Sequence, residues 1–294
     1  MKAIRQALFV VALLVSTVGH TKEVSLELGS MIGLANYDAQ DVSEPLFLIN
    51  HGTFMHKDTE TITALHRALF DRGLSVLSIT QTLGISQRKE TYNCERNVHR
   101  VDHREAAFEI KSWVSWAKEQ GHKNIFLLGH SRGGNQVLRA LKNDVVVKGV
   151  VLLAPAHQQS FENGRETFEK KLSLETDAFW KDIENKDKQG EGETLADAKG
   201  FLYCPTGVPT IRALAGSYLD DGLYDTHKLV SELKIPSLVI AGSEDTIVPN
   251  LEVVFQPIDN LVEFEMIEGA NHFFLDFYAD DAADLILEFV NKHH

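Results

Sequence analysis

A serine hydroxyl works as a nucleophile where the backbone holds it exposed and a base stands beside it. In this 294-residue chain, Gly129-His130-Ser131-Arg132-Gly133 follows the apolar run Phe126-Leu127-Leu128 and precedes the helix-like Asn135 to Lys142. That is G-x-S-x-G at a strand-to-helix turn. Such a turn strains the backbone of its serine, and side chains two residues before and after would collide, so both places take glycine. The spacing therefore predicts Ser131 exposed at the carboxyl edge of a sheet. Helix N–H groups beneath it would face any anion that develops there.

Other residues that could do chemistry are weaker candidates. His99 and His103 stand at i, i+4 and would share a helix face as metal ligands, but no third ligand accompanies them. No metal site is expected. His56, Lys57 and Arg132 are candidates for a basic rim holding a substrate carboxylate, set against the simpler reading of solvated surface charges. Cys94 and Cys204 are the only cysteines. They are too few for a disulfide scaffold, and sequence leaves open whether they pair.

The elements that must position Ser131 follow from periodicity. Short apolar runs at Pro45 to Asn50, Leu74 to Ile79, Asn124 to Leu128, Val147 to Leu153, Ser237 to Ala241 and Val262 to Ile267 read as buried strands. Helical spacing lies between them, at Ile62, Leu65, Leu69 and Phe70, at Ala106, Ile110, Trp113, Val114 and Ala117, and finally at Ala282, Ile286, Phe289 and Val290. Strand alternating with helix implies an α/β fold with a mostly parallel, doubly wound sheet, because parallel neighbours need a crossover. From about 157 to 210 the pattern lapses into a charged stretch with a sparse apolar stripe, Phe161, Phe168, Leu172, Phe179 and Trp180. We expect one or two helices there, inserted as a cap over a pocket, with at most one of Phe179 and Trp180 facing the substrate.

Composition bounds the rest. Hydrophobic residues are 44% and charged residues 24%, with 7 Pro and 20 Gly, an ordinary globular mixture. The formal charge of −13 opposes a phosphate backbone, which excludes nucleic acid as an expected partner. Met1 to about His20 has Lys2 and Arg5 before an apolar stretch, Ala7 to Val18, and reads as a secretory signal peptide. The expected mature domain is 21–294, exported to the periplasm or secreted, with no stable membrane insertion once the signal is removed.

With the motif in that context, the chain resembles an α/β-hydrolase from about Pro45 to the C-terminus, which implies a triad in the order serine, acid, histidine. Ala241-Gly242-Ser243-Glu244-Asp245-Thr246-Ile247-Val248-Pro249 follows a strand and is similar to the family's acid loop. Glu268-Gly269-Ala270-Asn271-His272-Phe273 is similar to its histidine loop. The resemblance implies His272 as the base and Asp245 as the carboxylate that orients it. Glu244 is the neighbouring rival, which alternation out of the strand turns to solvent. Asn50-His51-Gly52-Thr53 resembles the family's oxyanion loop, so the N–H of Thr53 and that of Arg132 are the implied donors. His51 and His130 are read as tying loops together. In this fold the loop bearing Cys94 lies on the carboxyl side of the sheet, where a bond to Cys204 would fasten the cap's far end.

The resemblance implies a serine hydrolase cleaving a small-molecule carboxylic ester through an acyl-enzyme, with no cofactor. Peptidase, lipase, thioesterase and C–C hydrolase activities use the same triad, and a non-catalytic binding protein could keep the fold.

Overall fold

The computed structural model describes residues 21–172, 175–255 and 262–294. The expected signal peptide lies outside the described residues. The described chain opens with a hairpin that the sequence analysis did not anticipate, β1 (Lys22–Leu28) paired antiparallel with β2 (Met31–Asp38). Its signal was present. Val24, Leu26 and Leu28 alternate with Glu23, Ser25 and Glu27, the period of a half-buried strand, and the three glutamate and serine side chains are exposed.

From there strand and helix alternate: β3 (Leu46–Asn50), α1 (Glu60–Asp71), β4 (Ser75–Thr80), α2 (Ala106–Glu119), β5 (Ile125–His130), α3 (Arg132–Lys142) and β6 (Gly149–Leu153). Every residue of these four strands is buried, as continuous apolar runs covered on both faces should be. After an excursion of four helices, α4 (Gln158–Glu169), α5 (Thr176–Lys188), α6 (Ile211–Tyr218) and α7 (Thr226–Ser231), the chain returns as β7 (Ser237–Gly242). A short α8 (Leu251–Val254), β8 (Val262–Ile267) and α9 (Phe277–His293) complete it.

The sheet has eight strands in the order β1-β2-β4-β3-β5-β6-β7-β8, parallel from β4 to β8 and antiparallel at β1/β2 and β2/β4. This is the α/β-hydrolase architecture. From β3 the chain steps one way to β4, then crosses back over β3 to β5. Right-handed crossovers therefore put α1 on one face and α2 and α3 on the other. α9 packs on α1, and α2 packs on α3. The reversal leaves a crevice beyond the carboxyl ends of β3 and β5, the place where open α/β sheets bind ligands.

The sheet and its helices share one core, with Phe47, Phe126, Trp113 and Phe289 among its largest members. A second core, made by Phe168, Trp180, Ile183, Phe201, Leu214 and Tyr218 of the cap, also takes in Phe54, Tyr92 and Val101 from the loops after β3 and β4. Helix α6 belongs to it, so the cap runs past the expected limit near 210. Thr210 begins that helix, its side-chain oxygen accepting from the Ala213 N–H at 3.2 Å. Cys94 and Cys204 form a disulfide, Cα atoms 5.4 Å apart, tying the loop after β4 to the cap.

Candidate active site

Ser131 occupies φ 56°, ψ −125°, a conformation that costs a non-glycine residue about 1–3 kcal/mol. Its surroundings impose it: the Ser131 N–H donates to Leu153 O at 2.9 Å, and its carbonyl accepts from Ala156 N–H at 3.0 Å. The flanking glycines are steric requirements. A Cβ on Gly129 would stand 2.4 Å from Gly133 O, and one on Gly133 would stand 2.5 Å from Asn50 O. The close approach of α3 to β5 and β3 thus explains the motif.

The Ser131 side chain lines a cleft of about 630 Å³. His272 is buried, its Nδ1 2.7 Å from Asp245 Oδ2. The second carboxylate oxygen of Asp245 accepts from the N–H groups of Ile247 and Val248, each at 2.8 Å. Burial alone would raise the Asp245 carboxyl, but the His272 bond and these two amides overcome it and hold the group below its ordinary value. Glu244 is exposed, as strand alternation implied. The acid and histidine loops are latched by Glu244 N–H to Ala270 O at 2.9 Å and Gly269 N–H to Ser243 Oγ at 2.8 Å. No hydrogen bond joins Ser131 to His272, a contact that often closes only around substrate.

The oxyanion loop leaves the end of β3 beside the elbow, where Asn50 pairs with Gly129. Neither the Thr53 nor the Arg132 N–H is committed to a main-chain carbonyl. His51 holds this loop in shape: Gln81 N–H donates to its Nε2 at 3.1 Å, which leaves Nδ1–H to donate to Gly52 O at 2.8 Å. Burial, then the Arg88 charge, keeps it neutral. Arg88 clamps the same loop from behind, donating to Gln81 O and Met55 O. His130 Nε2 donates to His272 O at 2.8 Å and so fastens the histidine loop to the residue before the nucleophile. Burial drives its pKa down to about 3.

The other expected groups separate. His99 and His103 lie in irregular chain before α2 and share no helix face. His103 is absorbed into a buried amide network, receiving from Gln136 Nε2 and donating to Asn135 Oδ1. His99 packs against Tyr92 and Phe201, its nearest ligand-type neighbours being the bonded Cys94 and Cys204. The basic rim also dissolves. Lys57 is paired to Asp58 and Glu23, at 2.7 and 3.1 Å, and His56 packs beside the same aspartate. Arg132 alone of the three lines the cleft.

From the cap, Phe161, Leu202, Tyr203 and Tyr218 reach the cleft. Phe179 and Trp180 do not. Trp180 is 4% exposed within the cap core, hydrogen-bonded through Nε1 to Glu169 at 2.6 Å. At most one of this pair was expected to face substrate, and neither does: α5 packs on α6, and it is α4, from Gln159 to Thr167, that lines the cleft with Ser131. Tyr203 and Tyr218 carried no periodic signal, because their approach depends on the fold of the chain between α5 and α6.

A family model described as serine aminopeptidase, S33 matches residues 44–275. No curated protein matches the chain at a significant level. Among solved structures, Est1E from Butyrivibrio proteoclasticus is 18% identical with a TM-score of 0.63, over 92% of this chain and 99% of that one. Est1E has also been solved with ferulic acid bound, 19% identical at the same TM-score over 92% and 98% of the two chains. The α/β-hydrolase GrgF from Penicillium sp. sh18 is 17% identical, TM-score 0.65, covering 93% and 99%. At such identities the likeness establishes the fold.

Proposed function

Because this chain belongs to the serine aminopeptidase S33 family of α/β-hydrolases, we propose that it is a serine hydrolase acting on carboxylic esters through an acyl-enzyme. The observation that carries the reading is Ser131 held at φ 56° on the cleft, with the hydrogen-bonded His272–Asp245 pair fastened beside it through His130. A binding protein has no physical need of that strain.

In the proposed reaction Ser131 Oγ attacks the ester carbonyl while His272 Nε2 takes its proton. Asp245 fixes the imidazole tautomer and stabilises the imidazolium. The N–H groups of Thr53 and Arg132 receive the oxyanion, a donor of this kind being worth about 10²–10³ in kcat. His272 then protonates the departing alkoxide, and water repeats the sequence on the acyl-enzyme.

The family's description raises aminopeptidase activity as the second reading. An aminopeptidase substrate brings a cationic N-terminus, yet no acidic residue lines the cleft among the described residues, and Arg132 does. That favours the ester. We further propose export through the leader at residues 1–20, a reading supported by the Cys94–Cys204 disulfide, since such bonds persist in oxidising compartments. The exported product should begin near His20 to Lys22; an intact Met1 on a membrane-bound product would replace the signal with an anchor.

The test is fluorophosphonate labelling beside turnover of p-nitrophenyl esters and aminoacyl arylamides. Ser131→Ala should abolish labelling and lower ester kcat by a factor on the order of 10⁶, with the fold retained. Persistent labelling of that variant would remove Ser131 from the nucleophile's role. Faster turnover of arylamides than of esters would select the peptidase reading.

A further inference from the structure

The buried or half-buried arginines near the cleft differ in how their charge is met. Arg139 is paired with both carboxylate oxygens of Asp221, at 2.6 and 2.8 Å. Arg104 holds Asp102 and Asp187. Arg88 is satisfied by main-chain carbonyls. Arg132 has no carboxylate within 4.0 Å among the described residues. Its Nε donates to Thr53 Oγ1 at 3.1 Å and its Cζ lies 4.9 Å over the Phe161 ring. Its Nη1 is shut off from solvent with no hydrogen-bond partner. A guanidinium carries five donors in a planar fork suited to a carboxylate, and leaving them unmet away from water is costly.

The cleft itself points the same way. The chain has 42 Asp and Glu in 294 residues, one in seven. Among the described residues, none of those lining this cleft is acidic, while Arg132 is one of them. Its other polar groups, including Thr53, Ser160, Asn163 and Thr167, are neutral. Among the described residues of an acidic protein, the cleft that Ser131 lines is thus free of negative charge, which removes their repulsion of an anionic ligand. Phe161 and Thr53 brace the guanidinium from two sides, so little side-chain freedom remains to be lost on binding.

Building on the esterase reading above, we propose that Arg132 recognises a free carboxylate carried by the substrate, making anionic esters, such as hemiesters of dicarboxylic acids, the preferred substrate class. The carboxylate is distinct from the one that hydrolysis creates. It reaches the guanidinium from the cleft through Nη2, the fork nitrogen that is neither shut off like Nη1 nor bonded like Nε, while the scissile carbonyl lies at Ser131, which suits a short spacer because the two residues are adjacent.

The decisive comparison is kcat/KM for mono-p-nitrophenyl glutarate against the p-nitrophenyl methyl diester of glutarate, which differ in one charge. The wild-type chain should favour the monoanion about tenfold or more, and Arg132→Gln should bring the ratio to within about twofold of unity. The ratio corrects for any damage the substitution does to the elbow. A wild-type preference for the neutral diester would overturn the proposal. So would an equal fall on both esters in Arg132→Gln, which would assign the guanidinium to the oxyanion. A readout independent of ester turnover and of the variant's folding is protection of wild-type Ser131 from fluorophosphonate. Glutarate should slow labelling at concentrations where glutaramide does not, and equal protection by the two would sink the anion site. Loss of all ester turnover with glutarate protection intact would instead count against the esterase reading alone.

Discussion

Ser131 and its proposed partners hang from loops at the ends of four parallel strands, β3, β5, β7 and β8, whereas the cap over them is built from helices around a second, aromatic core that it shares with Phe54 and Tyr92. In the first region main-chain geometry does most of the positioning. A positive-φ serine, glycines without room for a Cβ, two uncommitted amides and loops latched by N–H to carbonyl bonds would tolerate few substitutions. In the cap, side-chain packing holds the structure: Phe168 stacks on Tyr218 at 5.0 Å, and Trp180 lies against both. The disulfide then ties this second core to the loop after β4. Substitutions in the first region should therefore act on turnover, and those in the cap core on stability.

The largest effect should come from the strand-end region. Asp245→Asn should lower kcat about 10⁴-fold, because the amide favours the wrong imidazole tautomer, with little loss of stability. Glu244→Gln should leave kcat nearly unchanged, its side chain being exposed. Reversed results would move the acid by one residue and break the assignment of the latch.

In the cap, Trp180→Ala should cost about 3–5 kcal/mol of stability by opening a cavity, yet leave the ranking of ester substrates as it was. A changed ranking with unchanged melting temperature would make α5 part of the cleft wall. Replacing Cys94 and Cys204 together by Ser should cost about 2–4 kcal/mol, read as a lower melting temperature without reductant. An identical melting temperature would mean that the cap core alone holds the segment in place.

The smallest effect sharpens the contrast on the sheet side. Glu109 of α2 is buried, accepting from the Thr82 N–H at 2.9 Å and Thr82 Oγ1 at 2.5 Å. Burial raises its pKa to about 7, against the opposing pull of the Thr82 hydrogen bonds. Its folded pKa lies above the unfolded one, so the folded state holds the extra proton. That contribution is fully present below about 4.5 and is lost as pH rises through about 7. Between pH 5 and pH 8, Glu109→Gln should gain on wild type by roughly 2–4 °C in melting temperature. A pH-independent gap would mean that Glu109 is ionised in the folded protein across this range.

How much of this was legible in the sequence differs by region. The six strands from β3 onward and helices α1, α2 and α9 announce themselves through period, whereas α6, α7 and α8 were not read. G-x-S-x-G announces itself through its contiguous pattern, although part of its steric requirement comes from Asn50 of β3. The acid and histidine loops were legible by resemblance, each a short contiguous signature after a strand. The β1–β2 hairpin was equally legible as a period-2 alternation and was missed because the search began at longer apolar runs. His130 and His51 were correctly read as ties, although their partners, His272 O and Gly52 O, were not foreseeable.

By itself, the sequence determined the parallel strands and the elbow, because strand burial and a strained turn impose their requirements on short contiguous segments, while the acid and histidine of the candidate triad were implied by resemblance. Only the tertiary structure decided which cap residues meet the cleft, that Lys57 is neutralised by Asp58 and Glu23 while Arg132 is not, and that Cys94 reaches Cys204 across 110 residues. Those outcomes depend on where separate elements come to rest against one another, and a side chain's charge partner or cavity is set by distance in space, which periodicity along one segment does not encode.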